Sequence, residues 1–295
     1  MSDPKMLAQI TGREGFIAAL DQSGGSTPGA LKGYGVGADA FASDEEMFAL
    51  IHAMRTRIIT SPCFNGDKVI GAILFEKTMD GEADGRPVPQ ALWERGVVPF
   101  LKVDKGLEDE ADGVQMMKPM PDLEALLDRA VAKGIFGTKM RSVIKLANPV
   151  GIAAVVAQQF EVAKRILAKG LVPIIEPEVS INSPERDAAD RILLAEILKQ
   201  LDALPEGERV MLKLTIPAEP GLFAPLVSHP KVLRLVALSG GFNRDEACRE
   251  LAKNPGMIAS FSRALLSDLR NNMSDEEFDR SLSTAIDEIH CASVA

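Results

Sequence analysis

Histidine and cysteine are scarce in this chain, with three of each in 295 residues. His52, His229 and His290 are scattered without metal-ligand spacing, which argues against a histidine-rich zinc site. Cys63, Cys248 and Cys291 lie far apart and form neither a disulfide framework nor a paired-cysteine metal motif. A reducing, cytoplasmic setting is the simple expectation. No apolar stretch is long enough to cross a bilayer. Met1 to Arg13 is polar and lacks the apolar core of a secretory leader. Positive charge is in deficit: 33 Lys and Arg against 42 Asp and Glu leave a net charge of −9. That balance argues against nucleic acid as the main partner, while leaving room for a local cationic pocket.

What is present is ordinary for a globular protein: 46% apolar and 25% charged residues. Eight short apolar runs read as strands: 15–21, 69–75, 97–104, 137–143, 171–178, 210–216, 232–238 and 257–262. The spacers carry helical signals. Met47, Leu50, Ile51, Met54 and Ile58 recur at helical spacing over 45–59. Further helices are expected over 122–133, 152–168, 188–201, 245–252 and 275–289, the last capped by Ser274. The interval 76–95 is loop-rich and has the weakest helical pattern. Strands alternating with helices indicate a parallel sheet. Eight such units in this length fit a single-domain (β/α)8 TIM barrel, which typically takes about 250 residues. Residues 1–13 are an N-terminal extension on this reading, and 275–295 a C-terminal helix and tail.

Lys213 stands out. It interrupts the apolar run Val210-Met211-Leu212-Lys213-Leu214-Thr215-Ile216. Burying an unpaired ammonium is costly, and burial favours the neutral, nucleophilic amine. A Schiff base with a carbonyl substrate is one reading; a strand lysine paired with a carboxylate or reaching water is the plainer one. Alternation puts Met211, Lys213 and Thr215 on one face, toward the barrel interior, and the apolar residues on the other, toward the helices.

Barrel active sites lie at the C-terminal ends of the strands. There the sequence sets Asp21, Glu76, Lys102 and Asp104, Lys139 and Arg141, Glu176 and Glu178, Lys213, Ser239-Gly240-Gly241, and Ser262 with Arg263. Lys139 and Arg141 would add positive charge beside Lys213 and so favour its neutral form. Glu176 and Asp21 are candidate proton carriers. Ser239-Gly240-Gly241 with Ser262 and Arg263 matches the phosphate site found after strands seven and eight of such barrels, although a Ser-Gly-Gly is also a plain turn. Ser23-Gly24-Gly25-Ser26, with Lys102 across the mouth, offers a second anion site or a simple loop into a helix. Two phosphate sites flanking an imine-forming lysine point to a bisphosphorylated keto sugar.

Seven stretches in order carry a resemblance: Ala19-Leu-Asp-Gln-Ser-Gly-Gly-Ser26, Leu101-Lys-Val-Asp-Lys-Gly106, Gly137-Thr-Lys-Met-Arg141, Val172-Pro-Ile-Ile-Glu-Pro-Glu178, Met211-Leu-Lys213, Leu238-Ser-Gly-Gly241 and Ser260-Phe-Ser-Arg-Ala-Leu265. Together they resemble class I fructose-bisphosphate aldolase in its short bacterial form. The resemblance implies reversible cleavage of fructose 1,6-bisphosphate to dihydroxyacetone phosphate and glyceraldehyde 3-phosphate, with neither metal nor cofactor. It implies that Lys213 forms the imine and Glu176 is the main proton acceptor, supported by Asp21, Lys139 and Glu178. Ser239, Gly240 and Arg263 would hold the 1-phosphate, and Ser23, Ser26 and Lys102 the 6-phosphate. The phosphorylated sugar would be the partner; a homo-oligomer is compatible, with no interface assignable.

Three departures from the animal-type pattern stand out. Leu214 follows Lys213 where that pattern has proline. The sole tyrosine is Tyr34, and the chain ends Cys291-Ala-Ser-Val-Ala295, without the C-terminal tyrosine used there in proton exchange. Ala30 aligns near a phosphate-binding arginine, with Lys32 as a substitute. Two rival readings stand beside this one. Another imine-forming barrel would prefer a singly phosphorylated sugar. A sugar-phosphate-binding or scaffolding protein would bind ligand without forming an imine.

Overall fold

The computed structural model describes residues 3–295. Eight strands run parallel in the order of the chain: β1 (Phe16–Leu20), β2 (Val69–Leu74), β3 (Val98–Lys102), β4 (Gly137–Ile144), β5 (Val172–Val179), β6 (Val210–Thr215), β7 (Val232–Leu238) and β8 (Met257–Ala259). The sheet curls until its edges approach. Ala19 on β1 donates its amide to the carbonyl of Phe261, just past β8, at 3.2 Å. The result is a nearly closed (β/α)8 TIM barrel, as the alternating pattern predicts.

The helices follow their expected places. Asp44–Thr60 buries Met47, Ile51, Met54 and Ile58 against the sheet. Leu123–Ala132, Pro149–Ala168, Arg186–Ala203 and Arg244–Leu251 fill the later crossovers. Asp275–Ser293 opens on a capping box, in which Ser274 accepts from the amide of Glu277 and Glu277 accepts from that of Ser274. Near its end Ser293 Oγ accepts from the amide of Ala259 at 3.0 Å, docking this helix on β8. The interval after β2 holds two short helices, Glu76–Asp80 and Val88–Glu94, around the hairpin Glu82–Ala83 and Arg86–Pro87. Among the described residues no helix is long and apolar enough to cross a membrane.

Strand alternation sorts the core into two layers. Val210, Leu212, Leu214 and Ile216 pack outward with the helices. Ile17, Ile70, Phe100, Ile174, Met211, Val236 and Ile258 fill the lower interior of the barrel. The interior layer is completed by residues that the sequence reading treated as a polar extension. Pro4–Gly12 is a helix, and Met6 and Ile10, one turn apart, insert beneath the barrel. Two buried positions in a nine-residue segment are too few to register as a periodic signal. Asp3 caps this helix by accepting from the amides of Lys5 and Met6. Arg234 on β7 donates twice to the carbonyl of Ile10, at 2.9 and 2.7 Å, and once to that of Arg13. It thereby takes up carbonyls that the helix end leaves unpaired.

Ile10 is fully buried. Ile10→Ala should lower unfolding stability by about 2–4 kcal/mol, the range for truncating a buried aliphatic side chain. Urea denaturation checks this, and an unchanged midpoint would contradict the plugging role of the helix.

Candidate active site

The upper ends of β1, β4, β5 and β6 bring four charged side chains into one contact chain. Lys139 on β4 donates to Asp21 Oδ2 at 2.8 Å and is in ionic contact with Glu176 Oε2 at 2.7 Å. The other oxygen of Glu176, Oε1, lies 3.1 Å from Lys213 Nζ. None of the four residues is more than 8% exposed. Met211 and Ile174 lie below them in the interior layer, which confirms the inward face for Lys213 and Glu176. Lys213 is therefore both buried and carboxylate-paired, so the two readings of it meet in one geometry.

Around this centre the positions are fixed by further pairs. Arg141 lies 3.2 Å from Glu178. Lys102 donates to Asp104 Oδ1 at 2.7 Å and to its backbone carbonyl at 2.9 Å. Asp104 also accepts from the amides of Arg141 and Gly106, tying the β3 loop to β4. Four cations, Lys102, Lys139, Arg141 and Lys213, thus face four carboxylates, Asp21, Asp104, Glu176 and Glu178. The excess positive charge expected beside Lys213 is offset in this arrangement: Asp21, Glu176 and Glu178 engage Lys139 and Arg141.

The ionisation equilibria follow the pairing. Burial alone would raise Asp21, but the charges of Lys139, Lys213 and Lys102 and the hydrogen bond from Lys139 hold it well below the usual carboxylate range. Burial alone would lower Lys139, but Asp21, Glu176 and Asp104 hold its ammonium well above the usual lysine range. Glu178 moves the other way: burial raises it, Arg141 opposes, and the charge of Glu176 adds to the rise. A carboxyl displaced upward is suited to hold a proton, whereas Asp21 is suited to remain an anion.

The remaining predicted residues lie at the mouth. Ser239-Gly240-Gly241 turns beyond β7, with Gly240 and Gly241 at φ +60° and +125°. A Cβ at Gly240 would come within 2.6 Å of Ile181, so both conformation and space call for glycine. A Cβ at Gly241 would lie 3.4 Å from Arg263 Nη2, which places that guanidinium beside the turn. Arg263 is exposed and Ser262 half-buried. The loop beyond β1 is folded by Ser26, whose hydroxyl accepts from the Ser23 amide and donates to the Ser23 carbonyl. Ser23 is half-buried, and Lys32 is exposed on the helix Thr27–Gly33. Glu76 points away from the centre, to Lys105 and Arg129 on the rim. Tyr34 is a core residue: its hydroxyl accepts from Arg57 at 3.3 Å, and its ring meets Phe278 edge-on.

Several residues escaped the sequence reading. Gln159, fully buried on the helix after β4, accepts from the amide of Glu176 at 2.8 Å and donates to Ser142 Oγ at 2.9 Å. It locks β5 to β4 beside Glu176. Ser260 is buried with its hydroxyl unpartnered, on the same strand face as Ile258. Arg55 is 1% exposed and donates to Thr78 and Gln22. A lone glutamine or arginine inside a helical pattern gives no periodic signal; Ser260 was visible as part of Ser260-Phe-Ser-Arg.

Lys139→Met should destabilise the fold by about 3–5 kcal/mol at neutral pH, because it strands buried carboxylates. Asp21 has its folded-state pKa depressed, so its contribution is present above the unfolded carboxylate pKa near 4 and is lost as pH falls through the lower folded value. The wild type should therefore lose stability steeply below about pH 4. Lys139→Met should flatten that slope. Urea midpoints measured across acid pH test both; parallel pH profiles would refute the pairing account.

The family model for fructose-bisphosphate aldolase class-I matches residues 42–206, more than half of the chain. Among solved structures, the chain is similar to a fructose-bisphosphate aldolase from Plasmodium falciparum, determined in complex with TRAP and a small-molecule inhibitor. The two share 19% identity at a TM-score of 0.80, over 98% of this chain and 92% of the other. A Schiff base forming fructose-1,6-bisphosphate aldolase aligns at 12% identity and a TM-score of 0.52, over 96% and 98% of the two chains. A Corynebacterium glutamicum protein aligns at 14% identity and 0.57, over 98% and 92%. At these identities the structural likeness speaks for the barrel itself.

Proposed function

Because the chain belongs to the class-I fructose-bisphosphate aldolase family, the aldolases that work through a Schiff base, we propose that it cleaves fructose 1,6-bisphosphate reversibly to dihydroxyacetone phosphate and glyceraldehyde 3-phosphate. The proposed setting is glycolysis and gluconeogenesis in the cytoplasm. One observation carries the reading: Lys213 and Lys139 share the carboxylate of Glu176 in a buried site, at 3.1 and 2.7 Å.

The steps follow from that contact. Lys213 Nζ gives a proton to Glu176 and the free amine adds to the ketone carbon, after which a proton passes from the added nitrogen to the former ketone oxygen to give a carbinolamine. Glu176 returns the proton to the departing hydroxyl, water leaves, and a protonated imine remains. The imine is the electron sink for carbon–carbon cleavage. A carboxylate takes the proton from the hydroxyl beyond the breaking bond, the aldehyde departs, and an enamine stays on Lys213. Protonation of the enamine carbon and hydrolysis of the imine release the ketone product. Glu176 is the main proton carrier in this scheme, and Glu178, raised by burial, is a second. Asp21 stays anionic and, with Lys139, keeps the centre electrically balanced.

The mouth carries the groups proposed to hold the two phosphates. Ser239, Gly240 and Gly241, which follow the strand next to that of Lys213, with Ser262 and Arg263 beyond β8, would hold the 1-phosphate; Arg263 lies beside the Gly241 turn. Ser23, Ser26 and Lys102 would serve the 6-phosphate, the backbone of the Ser23 turn being already braced by Ser26. Arg141 lies between the centre and the rim, paired with Glu178.

Incubation with dihydroxyacetone phosphate followed by borohydride should leave a stable adduct on Lys213, located by peptide mass mapping. Lys213→Ala should abolish cleavage while retaining the fold, and activity should persist in chelator. An adduct on Lys139 would keep the class and reverse the roles; cleavage by Lys213→Ala would refute the Schiff-base assignment.

A further inference from the structure

Arg55 is a buried cation with an unusual set of partners. It lies on the helix Asp44–Thr60 and is 1% exposed. Nη1 donates to Thr78 Oγ1 at 2.7 Å, and Nη2 donates to the carbonyl of Gln22 at 2.5 Å and to Gln22 Oε1 at 3.2 Å. All three acceptors are neutral. Burial lowers its pKa to about 10, with the more distant charge of Asp21 opposing the change. Nε has no partner. An arginine held this way contributes little to stability for the desolvation it costs.

Its effect on Gln22 is directional. A guanidinium can only donate, so it fixes Oε1 of Gln22 toward itself. The other end of the amide is fixed independently, because Nε2 donates to the carbonyl of Ala19 at 3.2 Å, and a carbonyl can only accept. Nε2 also reaches Ser262 Oγ at 2.5 Å. With the amide orientation set at both ends, Ser262 is the acceptor in that bond. Its single hydroxyl hydrogen is then turned away from Gln22, and Ser262 lies beside Arg263 at the mouth.

We propose that Arg55 and Gln22 are positioning residues that fix the polarity of Ser262, so that its hydroxyl presents a hydrogen, and not a lone pair, to a bound phosphate. The inference rests on the reading of Ser262 and Arg263 as a phosphate grip. The relay runs from the β1 loop to the β8 loop, so it also holds together the edges where the barrel closes. An oxyanion with no hydrogens to offer needs donors, and a serine free to rotate spends part of its time presenting the wrong end.

A double-mutant cycle on Gln22 and Ser262 tests this. Gln22→Met keeps the side-chain length and removes both ends of the amide. Gln22→Met and Ser262→Ala should each raise KM for fructose 1,6-bisphosphate about tenfold, with kcat changing much less, the pattern of lost substrate binding. The double variant should be no worse than Ser262→Ala alone, because Gln22 acts only through Ser262. Arg55→Lys, which keeps an obligate donor, should retain more affinity than Arg55→Met. An unchanged KM in Gln22→Met, or effects that multiply in the double variant, would overturn the relay. Borohydride trapping separates the two levels of the argument. An intact Lys213 adduct with a failed cycle removes only the relay; no adduct in a wild type that still binds fructose 1,6-bisphosphate removes the Schiff-base reading alone, and no binding of fructose 1,6-bisphosphate at all removes the phosphate-grip reading and the relay with it.

Discussion

The site is organised by the need to neutralise one buried ammonium. Lys139 stands on β4, and the carboxylates that hold it come from β1 and β5. β1 is not a sheet neighbour of β4, so the contact with Asp21 spans the barrel interior. Such a pair yields little net stability, since desolvation consumes most of the Coulomb gain. What it gives is placement. Glu176 cannot swing away from Lys139 without leaving a bare charge, and Glu176 is also the group in contact with Lys213. The position of the Lys213 amine is thus set by an ion pair in which it does not itself take part.

The layering of the molecule follows. Below the charged chain lies an apolar interior; above it are the half-buried Ser23 and Ser262 and the exposed Arg263. The buried layer is balanced, four cations against four carboxylates. Of the groups proposed to hold phosphate, Lys102 belongs to that balance, while Arg263 lies outside it at the exposed rim, where water screens it until a ligand arrives.

Much of this was legible in the sequence, for identifiable reasons. Eight apolar runs gave eight strands because a buried parallel strand must be nearly continuous in apolar residues. Lys213, Glu176 and Lys139 could be read because a charged residue inside such a run has few bland explanations. β8 is shorter than its apolar pattern, ending at Ala259, since Ser260 and Phe261 leave regular pairing while still contributing a backbone bond each to β7 and β1. The plugging helix is not legible in the sequence because it is only nine residues long and buries only Met6 and Ile10. Glu76 was placed with the cluster by its position after β2, but a short helix begins there and turns the side chain to Lys105 and Arg129. Gln159 and Arg55, and the role of Gln22 within residues 19–26, are illegible for another reason: each matters through a partner more than fifteen positions away, and no local pattern records such a bond.

The N-terminal helix has a consequence for traffic. With Met6 and Ile10 seated beneath the apolar layer, the barrel is a well with a sealed floor. A molecule bound at Lys213 has one way in and the same way out. On the proposed chemistry, two products made in such a well would share one opening, and the fragment not attached to the lysine would clear it before the attached one is freed. Sequential departure would then be a property of the vessel's shape, set by a nine-residue helix at the end farthest from the chemistry.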